Sequence, residues 1–130
     1  MAFMRLIGID YGRKRVGIAV SDEEGKFALP YAVWLNDVKL VSKIKALCVE
    51  KKASAVVIGE SRDLGGRANE ILKDIMFLKA ALDEILEMPV YLEPEFYTTA
   101  EAERIQGRNA LTDASAAALI LKSYLERHSP

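Results

Sequence analysis

The first third of this 130-residue chain holds three strand-like segments in succession, and helical spacing of apolar residues appears only after them. Residues 4–10 and 15–21 read as strands that the Gly-bearing turn 11–14 joins into a hairpin. Residues 27–33 suit a third strand, and Pro30 favours a place at the edge of a sheet. The chain is therefore predicted to open with an antiparallel meander.

The rest of the chain alternates between helices and strands. Apolar residues that recur every three or four positions predict amphipathic helices, and short continuous apolar runs predict buried strands. The elements are helices at 37–50 and 67–86, strands at 55–59 and 89–92, a short helix from the capping-box residue Thr98, and a last helix from Thr112. The order β-β-β-α-β-α-β-α-α predicts one α/β domain over residues 1–130, with a five-stranded mixed sheet and helices on both faces.

Composition excludes several kinds of site. The single Cys48 cannot form an internal disulfide or a cysteine-based zinc site, and its helical surroundings predict a buried, unreactive thiol. The net charge of −1 argues against a protein that wraps nucleic acid over most of its surface, but it allows a local basic rim. Because no apolar run could span a bilayer and no signal peptide is evident, a cytoplasmic protein without a membrane partner is expected.

Acidic residues stand where predicted strands end and where the last helix begins. Asp10 ends the first strand, Glu93 and Glu95 follow the fifth, and Asp113 lies beside the N-cap Thr112. Ligands of open α/β sheets gather at the carboxyl ends of strands, so these acids could converge on one point. Hard carboxylate oxygens in that arrangement suit two-metal phosphodiester hydrolysis. Taken singly, Glu93 and Glu95 could instead be solvated loop acids, and Asp113 could serve the helix dipole.

Basic residues near these positions could form a rim that binds phosphates, although any one of them could equally be a solvated charge. The candidates are Arg13, Lys14, Arg15, Arg62, Arg67 and Arg108.

The stretch Gly8-Ile-Asp-Tyr-Gly-Arg-Lys-Arg-Val-Gly-Ile-Ala-Val-Ser-Asp22 closely resembles the opening motif of the YqgF/RuvX family. These are RNase-H-like proteins described as Holliday junction resolvases and linked to maturation of the precursor of small-subunit ribosomal RNA. Residues 57–66, 98–102 and 113–125 are similar to later segments of the same family, so the resemblance runs along the whole chain.

The resemblance implies an RNase-H-like fold, a nucleic-acid substrate, and dependence on Mg²⁺ or Mn²⁺. It places the family's acidic triad on Asp10, Glu95 and Asp113. The chain departs from the family where Pro94-Glu95-Phe96 stands in place of Asp-Glu-Arg, so a neighbouring acid and an arginine are missing. It departs again where Glu60-Ser61-Arg62 replaces Leu-Pro-Leu. Glu93 is a possible substitute acid, and Arg62 or Arg67 a possible substitute for the arginine.

The leading hypothesis is a Mg²⁺-dependent endonuclease acting on Holliday junction DNA, precursor small-subunit ribosomal RNA, or both, as a monomer or a homodimer. The altered motif motivates an alternative, which is a nucleic-acid-binding or ribosome-binding module with a decayed site. The Asp-x-Gly hairpin is also similar to the phosphate loop of the sugar-kinase and actin superfamily. Those proteins close two such domains around ATP, and 130 residues supply only one.

Overall fold

The structure is a computed structural model that describes residues 5–61, 68–95 and 110–128 of the chain. Its strands are β1 (Leu6–Asp10), β2 (Arg15–Ser21), β3 (Ala28–Leu35), β4 (Ala55–Ser61) and β5 (Val90–Glu95). Its helices are α1 (Leu40–Lys51), α2 (Ala68–Ile85) and α3 (Ala110–His128). The short helix expected from Thr98 lies outside the described residues.

The five strands form one mixed sheet in the order β3-β2-β1-β4-β5. The meander β1-β2-β3 is antiparallel, whereas β4 pairs with β1 and β5 pairs with β4 in parallel. Parallel neighbouring strands need a crossover connection. The connection from β1 to β4 runs through β2, β3 and α1, and α2 connects β4 to β5. The predicted mixed sheet with an antiparallel start is confirmed.

Each face of the sheet has its own apolar core. Alternate residues such as Ile7, Ile9 and Ile58 pack against α1 and α2. The intervening residues, among them Leu6 and Val57, pack against α3. Helices thus cover both faces, as the sequence predicts. Because side chains alternate along a strand, successive residues face opposite sides of the sheet.

Prolines occupy both edge strands. Pro30 lies in β3 beside a register shift between Ile18 and Ala19. In the parallel ladder, the Val56 N–H donates to the Pro89 carbonyl at the start of β5. Backbone nitrogens along β5 point alternately toward β4 and away from it, and in this register the nitrogen of Pro94 points to the outer edge. A proline there removes no ladder hydrogen bond, and for this reason β5 continues through Pro94 to Glu95.

Cys48 lies within α1 and is 2% exposed, which confirms the buried thiol. Burial raises the pKa of this thiol from 9.0 to about 11, so it stays protonated at neutral pH. Within the described ranges, none of the helices combines the length and the apolar character that a bilayer crossing needs.

Candidate active site

Asp10 is the last residue of β1 and is only half-buried, although its strand is the central one of the sheet. Leu6 and Gly8 of the same strand face α3, so strand alternation puts Asp10 on that face as well. The β-ladder pairs Asp10 with Gly17 of β2. The side chain therefore lies at the carboxyl end of the sheet, on the side of α3.

Two glycines let α3 approach the sheet closely. A Cβ added at Gly8 would lie 2.9 Å from the carbonyl oxygen of Ala117 and 2.9 Å from Cβ of Leu121. A Cβ added at Gly59 would lie 2.3 Å from Cδ1 of Ile120. The absence of side chains at both glycines thus sets the distance between α3 and the centre of the sheet.

The direction of α3 brings its first turns toward Asp10. Its C-terminal half borders a hollow with residues 25–28, near the beginning of β1, where the Leu6 N–H donates to Ser21 Oγ. Because Ala117 lies over Gly8, the helix runs from the carboxyl end of β1 toward its start. Asp113 precedes Ala117 by one turn, about 6 Å, and Asp10 lies about 6.6 Å beyond Gly8 in the same direction. The backbones of Asp10 and Asp113 are thus at the same end of the molecule.

Glu95 ends β5, two strands away from β1. The parallel ladders align Ile9 with Ile58 and Gly59 with Glu93, so Asp10, Gly59 and Glu93 stand in one row. Glu95 is one step of two residues beyond that row, on the same face of β5 as Glu93. The carboxyl ends of β1 and β5 and the start of α3 therefore bring the three triad positions to one end of the sheet.

The Glu93 side chain has a different environment. Its carboxylate is 1% exposed under α3, and its Oε2 accepts hydrogen bonds from Ser123 Oγ at 2.9 Å and Arg127 Nη1 at 3.2 Å. These two partners tie β5 to α3 and compensate the cost of burying a charge. Next to them, burial raises the pKa of the Tyr124 hydroxyl, with smaller contributions from Tyr91 and Glu93.

The loop between β1 and β2 is held by Asn36, which follows β3. The Asn36 side chain donates from Nδ2 to the Gly12 carbonyl at 2.8 Å, and its backbone N–H donates to the Lys14 carbonyl at 2.9 Å. These bonds fix the loop that carries the exposed Arg13 and Lys14 beside Asp10, and Arg15 follows as the exposed first residue of β2. Nothing in the sequence singled out Asn36.

Other predicted basic residues lie outside the described residues, namely Arg62, Arg67 and Arg108. Glu60, a further acid near the end of β4, is buried at 9% exposure and was not predicted as a site residue. Strand alternation puts Glu60 with Val56 and Ile58 on the face covered by α1 and α2, away from Asp10.

The residue types at the candidate site fit a hard divalent cation, because carboxylate oxygens are the ligands that Mg²⁺ and Mn²⁺ prefer. Among the described side chains, no set of three His, Cys, Asp or Glu gathers closely enough to hold a metal. Of the triad, Asp10 is the member whose side chain the structure describes, while Glu95 and Asp113 are placed by their backbones.

Comparison with known sequences identifies a family. The family model described as "RuvX: Holliday junction resolvase" matches residues 4–127. A protein of Dictyoglomus turgidum named "Putative pre-16S rRNA nuclease" is 32% identical over 133 residues, which cover 95% of this chain and 94% of the relative. A protein of Syntrophus aciditrophicus with the same name is 35% identical over 137 residues, covering 95% and 89%.

Solved structures share the fold at low identity. The chain is similar to T. thermophilus RuvC in complex with a Holliday junction substrate, with a TM-score of 0.62, 19% identity and 97% of each chain covered. It is also similar to the Fowlpox virus resolvase in complex with Holliday junction DNA, with a TM-score of 0.55, 11% identity, and 98% of this chain and 100% of that one covered. These likenesses confirm the RNase-H-like fold that the sequence resemblance implied.

Proposed function

This chain belongs to the RuvX family of Holliday junction resolvases, and from that premise we propose that it is a divalent-metal-dependent nuclease that hydrolyses phosphodiester bonds in structured nucleic acid. The relatives at 32% and 35% identity are named for pre-16S ribosomal RNA, which favours the 5′ end of precursor small-subunit ribosomal RNA as the substrate. Holliday junction DNA is the second candidate, supported by the family description and by the junctions that the structural neighbours hold.

The observation that carries this proposal is the position of Asp10. Its carboxylate stands at the carboxyl end of the central strand, on the face that α3 covers. Positions at the end of β5 and the start of α3 bring Glu95 and Asp113 to the same end. Ligand sites of open α/β sheets form at such ends, so the fold supports a shared site for the three acids.

In the proposed site Asp10 would be the central ligand of the divalent cations, Glu95 would hold or orient the second, and Asp113 would complete the set of ligands. Mg²⁺ or Mn²⁺ bound there would activate a water and stabilise the leaving oxygen. Three carboxylates gathered at such a site would repel one another without a cation between them. Arg13, Lys14 and Arg15 would contact substrate phosphates beside Asp10.

Glu95 is the stronger candidate than Glu93 for the second acid. The carboxylate of Glu93 is almost wholly buried and is engaged by Ser123 and Arg127. If the Glu93 carboxylate bound a metal instead, its ion pair with Arg127 under α3 would be lost. Continuation of β5 through Pro94 keeps Glu95 on the same face as Glu93 and farther toward the open end of the sheet.

A binding module with a decayed site is the alternative function, and the observation that favours it is Pro94 and Phe96 in place of an acid and an arginine. The structure weakens the argument from Pro94, because the proline leaves the strand and its register intact. In that alternative, substitution of Asp10 would not affect binding, and purified protein would not cleave with any metal. Cytoplasmic location and the monomeric or homodimeric state stay predictions.

The deciding experiment measures cleavage of a precursor 16S ribosomal RNA fragment and of a four-way DNA junction with Mg²⁺ and with Mn²⁺. Asp10→Asn is expected to lower the rate by more than about 100-fold, since even residues that support metal ligands typically contribute 10–100-fold. Asp83→Asn, on the exposed surface of α2, is the matched control and should cleave like the unaltered protein. Equal cleavage by Asp10→Asn and the unaltered protein, with unchanged thermal unfolding, would reject the proposal.

A further inference from the structure

A groove runs between the edge strand β3 and helix α1, on the face of the sheet opposite Asp10. One side of α1 faces β3 with residues spaced three and four apart, from Lys43 to Lys51. The β3–α1 groove is defined by Tyr31 and Trp34 on β3 and by Lys43 and Lys51 on α1. It contains a hollow of about 450 Å³ between Trp34 and Tyr31 and one of about 330 Å³ beyond Tyr31, both within the size range of ligand clefts.

Both aromatic rings of the groove are accessible, and each carries a lysine. The Tyr31 side chain is 44% exposed, and Trp34 is partly buried against the core beneath it. The Lys43 ammonium lies 5.7 Å from the centre of the Trp34 ring, and the Lys51 ammonium lies 5.4 Å from the centre of the Tyr31 ring. An aromatic face beside a cation is the combination that binds a base by stacking and its phosphate by charge.

Charge is distributed unevenly along this part of the chain. The segment from residue 37 to 52 carries five lysines and two acidic residues, whereas the chain as a whole has a net charge of −1. Of the two acids, Asp37 bonds the Lys39 backbone N–H outside the groove, and Glu50 lines the larger hollow. The remainder of the chain is correspondingly acidic. Around the two hollows, the cationic side chains are those of Arg5, Lys43 and Lys51, and the acidic ones are those of Asp22 and Glu50. The groove is therefore modestly positive on an acidic protein, which suits a polyanion.

The groove is continuous with the basic loop at the candidate active site. Trp34 pairs with Val16, the residue after Arg15, and Asn36 bonds the backbone of Gly12 and Lys14. A chain of phosphates leaving the Asp10 end of the sheet would thus meet the β1–β2 loop, turn around the β3 edge and reach Trp34 before Tyr31.

We propose that the β3–α1 groove is a second binding site for nucleic acid, in which unpaired bases stack on Trp34 and Tyr31 while Lys43 and Lys51 contact their phosphates. The proposal rests on the proposed nuclease function for the choice of nucleic acid as ligand. It adds a preference for substrates that carry a single-stranded extension beside the cleavage point. Its function would be to hold that extension and so to orient the substrate, without taking part in hydrolysis.

The test uses the intrinsic fluorescence of Trp34, which is the one tryptophan of the chain. Titration with oligouridylate in EDTA, where hydrolysis cannot occur, is expected to quench it, and oligothymidylate shows whether DNA binds as well. Tyr31→Ala should weaken binding about tenfold, the effect of losing one stacked base. Lys43→Gln and Lys51→Gln should each reduce the slope of log affinity against log salt by about 0.7.

Matched controls lie on α2, where Phe77 is 77% exposed and Lys73 is also exposed. Phe77→Ala and Lys73→Gln should bind oligouridylate like the unaltered protein. The inference fails if oligouridylate causes no quenching, if Tyr31→Ala binds with unchanged affinity, or if polyglutamate quenches equally well. Asp10→Asn should retain full quenching. Quenching without any cleavage would reject the proposed nuclease function alone, and cleavage without quenching would reject the proposed groove site alone.

Discussion

Arg127 in the last turn of α3 donates from Nη1 to Oε2 of Glu93 in β5, at 3.2 Å, across two elements that are far apart in sequence. The Glu93 side chain is 2% exposed and the Arg127 side chain 58%.

Removing one partner of a fully buried ion pair typically costs about 3–5 kcal/mol, and the exposure of Arg127 reduces that cost. Arg127→Met should lower the free energy of unfolding by about 1–2 kcal/mol, measured by urea denaturation at pH 7. Lys122→Met, whose partner Glu126 is exposed, should change it by less than about 0.5 kcal/mol. Equal effects of the two substitutions would contradict this account.

Glu93 and Glu95 are expected to separate stability from activity. Glu93→Gln should destabilise the protein while cleavage of the folded fraction stays within a few-fold of normal, because the carboxylate binds Ser123 and Arg127. Glu95→Gln should abolish most cleavage and leave the unfolding midpoint nearly unchanged. Rates and denaturation curves of both variants, recorded in the same buffer, give the answer. The opposite assignment would make Glu93 the second metal ligand.

Replacing Gly59 with alanine should lower the free energy of unfolding unless the Ile120 side chain is shortened at the same time. Gly59→Ala brings Cβ to 2.3 Å from Ile120 Cδ1, and overpacking of this kind costs about 1–3 kcal/mol. Ile120→Val removes that atom, so the double variant should be more stable than Gly59→Ala alone. The measurement is a double-mutant cycle on unfolding free energy, with an expected coupling above about 0.5 kcal/mol. Strict additivity would show that α3 is not held against the sheet at this point.

Asn36 should matter for catalysis more than for folding. Asn36→Ala removes the Nδ2 bond to Gly12 but keeps the backbone bond to Lys14, so the loss of stability should be about 1 kcal/mol. Because the β1–β2 loop carries the phosphate-contacting residues, KM should rise while kcat falls less. Steady-state cleavage kinetics at several salt concentrations would measure the split. A fall in kcat with an unchanged KM would mean that the loop does not bind substrate.

Cys48 makes stability depend on pH in the alkaline range. Its pKa is raised from 9.0 to about 11 in the folded protein, so folding favours the protonated thiol. The resulting stabilisation is complete below pH 9 and is lost as the pH rises toward 11, by up to about 3 kcal/mol. Unfolding free energies between pH 8 and 11 should therefore fall more steeply for the unaltered protein than for Cys48→Ala. Parallel curves would rule out the thiol as the cause. At pH 8 the native thiol should resist alkylation.

Much of the fold follows from patterns that the sequence displays directly. Apolar alternation in residues 15–21 predicts β2 at the bounds the structure has, and the three-and-four spacing predicts α1 and α2 to within a few residues. These patterns work because burial on one face selects the residue type at each position. β5 is longer than predicted, since the effect of Pro94 depends on which edge of the strand its nitrogen faces.

The site is predictable only in part. Asp10 follows from a carboxylate at the end of a buried strand, and the assignments of Glu95 and Asp113 come from resemblance to the family. By contrast, the partners of Glu93 are 30 and 34 residues away, and Asn36 acts through a bond spanning 24 residues. Local sequence carries no signal for such contacts, because they exist only after the sheet order and the direction of α3 are set.

The prolines in β3 and β5 have a consequence for assembly. An unprotected edge strand offers its backbone groups to strands of other chains and so invites aggregation or growth of a continuous intermolecular sheet. Pro94 withholds a donor from the outer side of β5, and Pro30 with its neighbouring bulge interrupts the regularity of β3. Both margins of the sheet are thereby poor templates for strand addition, so any association between copies of this chain would use its helices or loops.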